Sequence, residues 1–104
     1  MARLIAYIDE NLSVPLSIAD LARTAGLPIA TFRQQFQLHT GQSVHKYIIE
    51  RRLQLACKLL MNQDTGVPDV AAASGFSSQQ HMTMTFRNRL GITPKSFQRS
   101  KLDL

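Results

Sequence analysis

The sequence predicts an all-α protein of seven helices, in which two similar helix pairs flank one long central helix. Three observations predict it. Apolar residues recur at three- and four-residue spacing through nearly the whole chain, and no segment shows the apolar–polar alternation of a half-buried strand. Capping residues and glycines interrupt that pattern where helices should start and stop. And one short pattern is written twice: "DLARTAGL" at 20–27 and "DVAAASGF" at 69–76, each reading Asp, apolar, Ala, three residues, Gly, large apolar, at an offset of 49.

The first helix runs from about Arg3 to Asn11, with Leu4, Ile5 and Ile8 as its stripe. Ser17 caps a second, with Asp20 as the acid of a capping box. It ends near Ala25, and Gly26 takes the left-handed turn. Pro28 opens the third at its first turn, where a missing N–H costs nothing. Ile29, Phe32 and Phe36 face the core, and the helix stops at Gly41. Ser43 caps a long fourth helix reaching Asn62, whose apolar residues cover more than one stripe, so it packs on two sides. "NQDTG" at 62–66 is the clear break. The fifth runs from Val67 to Ser74 and turns at Gly75. Ser77 caps the sixth, which carries Met82, Phe86 and Leu90 at i, i+4 and i+8. Thr93-Pro94 starts a short seventh ending near Arg99, and "SKLDL" is a frayed tail. The divisions are a first module at 3–41, a linker helix at 43–62 and a second module at 66–99.

The repeat extends beyond its opening. Phe32 answers to Met82, Phe36 to Phe86, Gly41 to Gly91, Ser43 to Thr93 and Tyr47 to Phe97, all at an offset of 50. One residue is therefore inserted between Gly26 and Phe32 in the second copy. Two copies make a duplication, not a solenoid.

With 104 residues, 44% of them hydrophobic, the chain can form one compact domain or two very small ones. Twelve Lys and Arg against seven Asp and Glu favour a polyanionic partner, nucleic acid or an anionic membrane surface. The bases gather late: Arg87, Arg89, Lys95, Arg99 and Lys101 against Asp103 alone. Cys57 is the only cysteine, which excludes an intrachain disulfide and a cysteine-based zinc site, and it reads as a buried helix residue. His39 and His45 have no metal-ligand spacing and read as surface residues. No metal or cofactor is expected. No apolar run could cross a bilayer and the N-terminus lacks a signal-peptide pattern, so a cytoplasmic protein without a membrane partner is expected. The acids are scattered, no nucleophile sits in an elbow and no Gly-rich loop follows a strand, which argues against an enzyme.

In each repeat a small Ala precedes the Gly by four residues: Ala22 and Gly26, then Ala71 and Gly75. Two helices that cross steeply at a short turn need a small side chain at the crossing and a permissive residue in the turn. That is the helix-turn-helix pattern, whose second helix enters the DNA major groove. An ordinary helical hairpin has the same needs, but two such pairs at matching positions on a basic chain favour DNA binding. The segments "SIADLARTAGLPIATFRQQFQLHTG", "YIIERRLQLACKLL" and "VAAASGFSSQQHMTMTFRNRLGITPKSF" resemble the DNA-binding domain of the AraC/XylS family of bacterial transcription regulators, from about Ile8 to Arg99. The resemblance implies two helix-turn-helix modules joined by a long helix, binding as a monomeric unit to two successive major-groove segments of one asymmetric site. A fourth helix of about 20 residues would span about 30 Å, close to the ~34 Å between successive major grooves on one DNA face.

The outward face of the third helix carries Ala30, Arg33, Gln34 and Gln37, with Thr31 at its edge. Arg pairs bidentately with guanine and Gln with adenine. The matching face of the sixth holds Gln80, Thr83, Met84 and Arg87, with Gln79 and His81 toward the N-terminal end. Ser77 and Ser78 lie where hydroxyls and backbone N–H groups can hold a phosphate. Family members commonly carry Arg where this chain has Gln34 and Met84, and a Phe or Leu where it has Met82. Arg33 and Arg87 stand close enough to compensate. Arg51 and Arg52, mid-way along the linker helix, either reach the DNA backbone or pair with Glu50 or another acid. Arg89, Lys95 and Arg99 suit phosphates or a solvated basic face equally.

Double-stranded DNA is thus the expected partner, with RNA polymerase as a further candidate. The competing reading is a helical protein-interaction module with a basic face. Many relatives carry a separate effector-binding or dimerisation domain; none is visible in this sequence, which reads either as a small stand-alone regulator or, the favoured reading, as a C-terminal domain cut from a longer one.

Overall fold

The computed structural model describes residues 1–101. Among them are seven helices and no strand: α1 (Ala2–Glu10), α2 (Ile18–Ala25), α3 (Ile29–Thr40), α4 (Val44–Leu60), α5 (Val67–Ala73), α6 (Gln79–Leu90) and α7 (Pro94–Ser100). The chain divides into two units, Met1–Arg51 and Arg52 onward, so α4 contributes its first half to one and its second half to the other. This explains why its apolar residues cover more than one stripe. Val44 and Ile48 are buried in the first stretch, while Leu53, Ala56 and Leu60 join the core of the second unit.

In the first unit α1 buries Leu4 and Ile8, and Leu12 follows them inward just past its end. Ser17 caps α2 by accepting from the Asp20 amide at 3.3 Å. The expected capping box takes another form, because the Asp20 carboxylate accepts from Arg23 at 3.0 Å, one turn along the helix. At the turn into α3, Gly26 has φ 71°, and the Leu27 amide donates to Ala22 O at 3.0 Å. A Cβ on Gly26 would meet nothing within 4 Å, so the left-handed backbone, not crowding, calls for glycine.

Pro28 is the N-cap residue of α3, one place before the first turn where the sequence suggested it. Phe32 and Phe36 are fully buried, with ring centroids 5.9 Å apart. Ile29 does not face the core as expected: it is 45% exposed. It is the first residue of α3, beyond the rim that Phe32 fills, and its counterpart in the second copy is the polar Gln79. Asp9 joins α1 to α4, accepting from the Tyr47 hydroxyl at 3.2 Å and from Arg51 Nε at 2.9 Å.

The second unit packs Leu53, Ala56 and Leu60 of α4 against Val70, Ala71, Phe76, Met82 and Phe86. Cys57, expected to be buried, is half-buried at the margin of this core, and burial pushes its thiol pKa up. α4 stops at Leu60, two residues short of Asn62. The amides of Met61 and Asn62 bond to carbonyls three residues back, the tightened last turn of a helix. The connection to α5 is pinned by the buried amide of Gln98, which donates to Asn62 O at 3.2 Å and Thr65 O at 2.8 Å.

Ser78, not Ser77, caps α6, accepting from the His81 amide at 3.0 Å. The helix begins one residue later than the sequence suggested, which puts Ser78 opposite Pro28 and makes Ser77 the inserted residue of the repeat. Leu90, expected in the buried stripe, is 43% exposed, because the chain leaves the helix through Gly91 immediately after it. Thr93 caps α7 through the Ser96 amide at 3.1 Å. Of the tail expected to fray, Ser100 completes α7 and the Lys101 ammonium lies 5.0 Å from the Phe97 ring centre. Residues 102–104 lie outside the described residues.

The duplication holds in detail. α3 and α6 are both 12 residues long, at an offset of 50. Gly75 has φ 88°, and the Phe76 amide donates to Ala71 O at 3.1 Å, as Leu27 does to Ala22. Tyr47 meets Phe36 edge-on at 5.4 Å, and Phe97 meets Phe86 edge-on at 5.9 Å. Ala22 and Ala71 are both buried at the base of their turns, where a larger side chain would hold the two helices apart.

Candidate nucleic-acid interface

Each unit holds one helix of this pair by an aromatic or Met stripe on its inner side and leaves the other side open. On α3 that leaves Ala30, Arg33, Gln34 and Gln37 exposed, with Thr31 half-buried at the edge. On α6, Gln79, Gln80, Met84 and Arg87 are exposed, while Thr83 and His81 are half-buried. The polar composition follows from the fold: only Phe32 and Phe36, or Met82, Thr85 and Phe86, are needed inside.

The first turn of α6 is held from several sides. The His81 ring stands edge-on to Phe76 with centroids 5.3 Å apart, and its Nδ1 lies 3.2 Å from Ser77 Oγ. The Ser78 oxygen accepts one hydrogen bond as the cap, which leaves its hydroxyl hydrogen free to donate outward. His81 is therefore partly committed to fixing the start of α6, and Ser77 and Ser78 remain exposed beside it.

Gln79, Gln80, Thr83, Met84, Arg87 and Asn88 line one shallow groove along α6. Asn88 escaped the sequence reading, since its counterpart is Leu38, which offers no polar group. The readable signal was its spacing, one turn beyond Met84 on the same face. A neighbouring groove includes Gln79, Thr83, Thr93 and Lys95. It sets Lys95 beside the open face of α6 and distinguishes it from Arg89 and Arg99, which line neither groove.

Pairing within the protein sorts the arginines. Arg33 and Arg87 are exposed, and neither side chain bonds to another described residue. Their guanidinium donors are open to an external anion. Arg23 pairs with Asp20 and Arg51 with Asp9, which settles Arg51 as a partner of an acid. Arg52 is half-buried, and burial lowers its pKa. The charge is also unevenly shared. Seven bases and three acids follow Arg51, a net +4, against five bases and four acids from Met1 through Arg51, a net +1.

Among the described residues no three His, Cys, Asp or Glu side chains gather as a metal site, and no helix is long and apolar enough to cross a membrane.

A family profile described as a helix-turn-helix domain matches residues 21–100. The transcriptional regulator ExsA of Pseudomonas aeruginosa is 33% identical over 99 residues, which are 95% of this chain and 36% of that protein. The chain thus spans about a third of the length of this relative. Among solved structures, the DNA-binding domain of the global transcriptional factor AdpA, crystallised with a target DNA, matches at a TM-score of 0.92 and 29% identity over 95% of this chain and 89% of that one. A transcriptional regulator of Chromobacterium violaceum with an AraC-type DNA-binding domain matches at 0.83 and 30% identity, over 94% and 88% of the two chains. Two repeated helix-turn-helix units, and relatives that share them along nearly the whole chain, place this protein in the AraC/XylS family of bacterial transcription regulators, as a DNA-binding domain of that family.

Proposed function

We propose that the domain binds double-stranded DNA in a sequence-specific way, with α3 and α6 each entering one of two successive major-groove segments of an asymmetric site. The observation that carries this reading is the pairing of an open polar face with an arginine unpaired among the described residues on both helices: Arg33 on α3 and Arg87 on α6. Ala30, Thr31, Arg33, Gln34 and Gln37 face one segment. Gln79, Gln80, His81, Thr83, Met84 and Arg87 face the other, and Ser77 and Ser78 lie at a phosphate. The AdpA domain, of the same fold, was crystallised with a target DNA, which supports DNA as the partner. The second proposed partner is RNA polymerase, and the proposed compartment is the bacterial cytoplasm.

The test is a titration of labelled duplex DNA at several salt concentrations, with a site selected from a randomised library. A steep linear loss of log affinity with log salt, together with preference for the selected site over bulk DNA, is the expected result. A flat salt dependence with tighter binding to an acidic protein would overturn it in favour of a protein-interaction module.

A further inference from the structure

We infer that Met84 makes the second half of the site depend on one thymine, through contact with its 5-methyl group. The inference rests on the proposed entry of α6 into the major groove. Met84 stands sixth of the twelve residues of α6 and is 61% exposed. It lies in the middle of the groove formed with Gln80, Thr83, Arg87 and Asn88, and it is the one side chain there that offers no hydrogen-bond donor. A residue at the centre of an inserted helix faces base edges. The major-groove edges present donors and acceptors, and one apolar group: the methyl of thymine. A flexible, polarisable thioether chain is suited to cover that methyl, and it gains little against any other base.

The duplication supplies an internal comparison. Gln34 holds the same place on α3 that Met84 holds on α6, and both are exposed. The two copies share their turns, their aromatic contacts and their helix lengths, so the chemical difference at this place is one of reading, not of support. An amide there selects hydrogen-bonding edges and a thioether selects a methyl. The two halves of the site must then differ at the base pair facing this position.

The experiment begins with the preferred duplex selected from a randomised library by the 104-residue chain. Each thymine is then replaced in turn by deoxyuridine, which lacks only the methyl. One position is expected to lose about fourfold in affinity, the value of one buried methyl. Met84→Gln should remove that loss while leaving the other positions as they were, and Met84→Leu should keep it. Because Met84 is exposed, circular dichroism should show both variants folded. If no thymine is sensitive, or if Met84→Gln keeps the sensitivity, the inference falls and DNA reading stands. If selection yields no preferred duplex at all, the proposed function falls and takes this inference with it.

Discussion

Arg51 Nε donates to Asp9 Oδ1 at 2.9 Å, and the pair ties α4 to α1 across 42 residues of sequence. The same carboxylate accepts from the Tyr47 hydroxyl. Asp9→Ala removes both partners and should lower the stability of the folded chain by about 1–2 kcal/mol, since the ion pair is partly open to water and the hydrogen bond is ordinary. Asp9→Asn keeps an acceptor for Tyr47 and should cost about half as much. Urea unfolding followed by circular dichroism measures both, and equal losses would show that charge, not the hydrogen bond, is the whole effect.

Tyr47 gives the fold an alkaline limit. Burial raises its pKa above the usual tyrosine value, and the nearby Asp9 charge and the hydrogen bond to it raise it further, against a smaller opposing effect of Arg51. The folded chain therefore holds this proton more tightly than the unfolded chain. Its contribution is complete below about pH 10 and is lost as pH rises through the raised value. Tyr47→Phe should flatten the fall in stability above pH 10 and cost about 1 kcal/mol at neutral pH. Phe97 fills the matching place in the second copy, so the ring contact with Phe36 should survive. Cys57 titrates in both proteins and drops out of the comparison.

Arg33, exposed and unpaired among the described residues, is the proposed guanine reader on α3. Arg33→Ala should weaken binding to the selected site by roughly 1–3 kcal/mol and relax preference at one base pair, with little effect on random duplex. Equal weakening on both duplexes would make it a phosphate contact instead.

Arg87 follows the buried Phe86 and is expected to reach a phosphate. Arg87→Ala should weaken selected and random duplexes about equally and lower the salt slope by about 1. An unchanged slope, or an altered preference at a single base, would assign it to a base edge.

The parts of the structure written locally were legible in the sequence, and the parts made by distant residues were not. Ser17, Ser43 and Thr93 act as caps where the sequence placed them, and Gly26, Gly41 and Gly91 end their helices with positive φ. Each of these signals works within a few residues. Periodicity failed at helix ends, because a stripe counts Ile29 and Leu90 as inward although the core no longer reaches them. The Asp9–Arg51 pair was not readable, because only folding brings α1 beside α4. On the outward faces, type and spacing found most of the proposed reading residues. They missed Asn88 and left Lys95 undecided, since nothing in the order of residues says that α7 begins beside α6.

The duplication also bears on how such a domain can change. Within the repeat, inner positions differ little: Phe36 and Phe86 are the same, and Phe32 and Met82 are both large and fully buried. Outer positions differ freely, as Arg33 and Thr83 or Gln34 and Met84 do. In the proposed mode of binding, a change on one outer face alters half of what is read, while the other half can keep the domain at its old address. New preferences can then be tried one half at a time, with no intermediate that has lost its hold on DNA altogether. A single-unit reader has no such margin, because each change of reading puts its whole grip at risk.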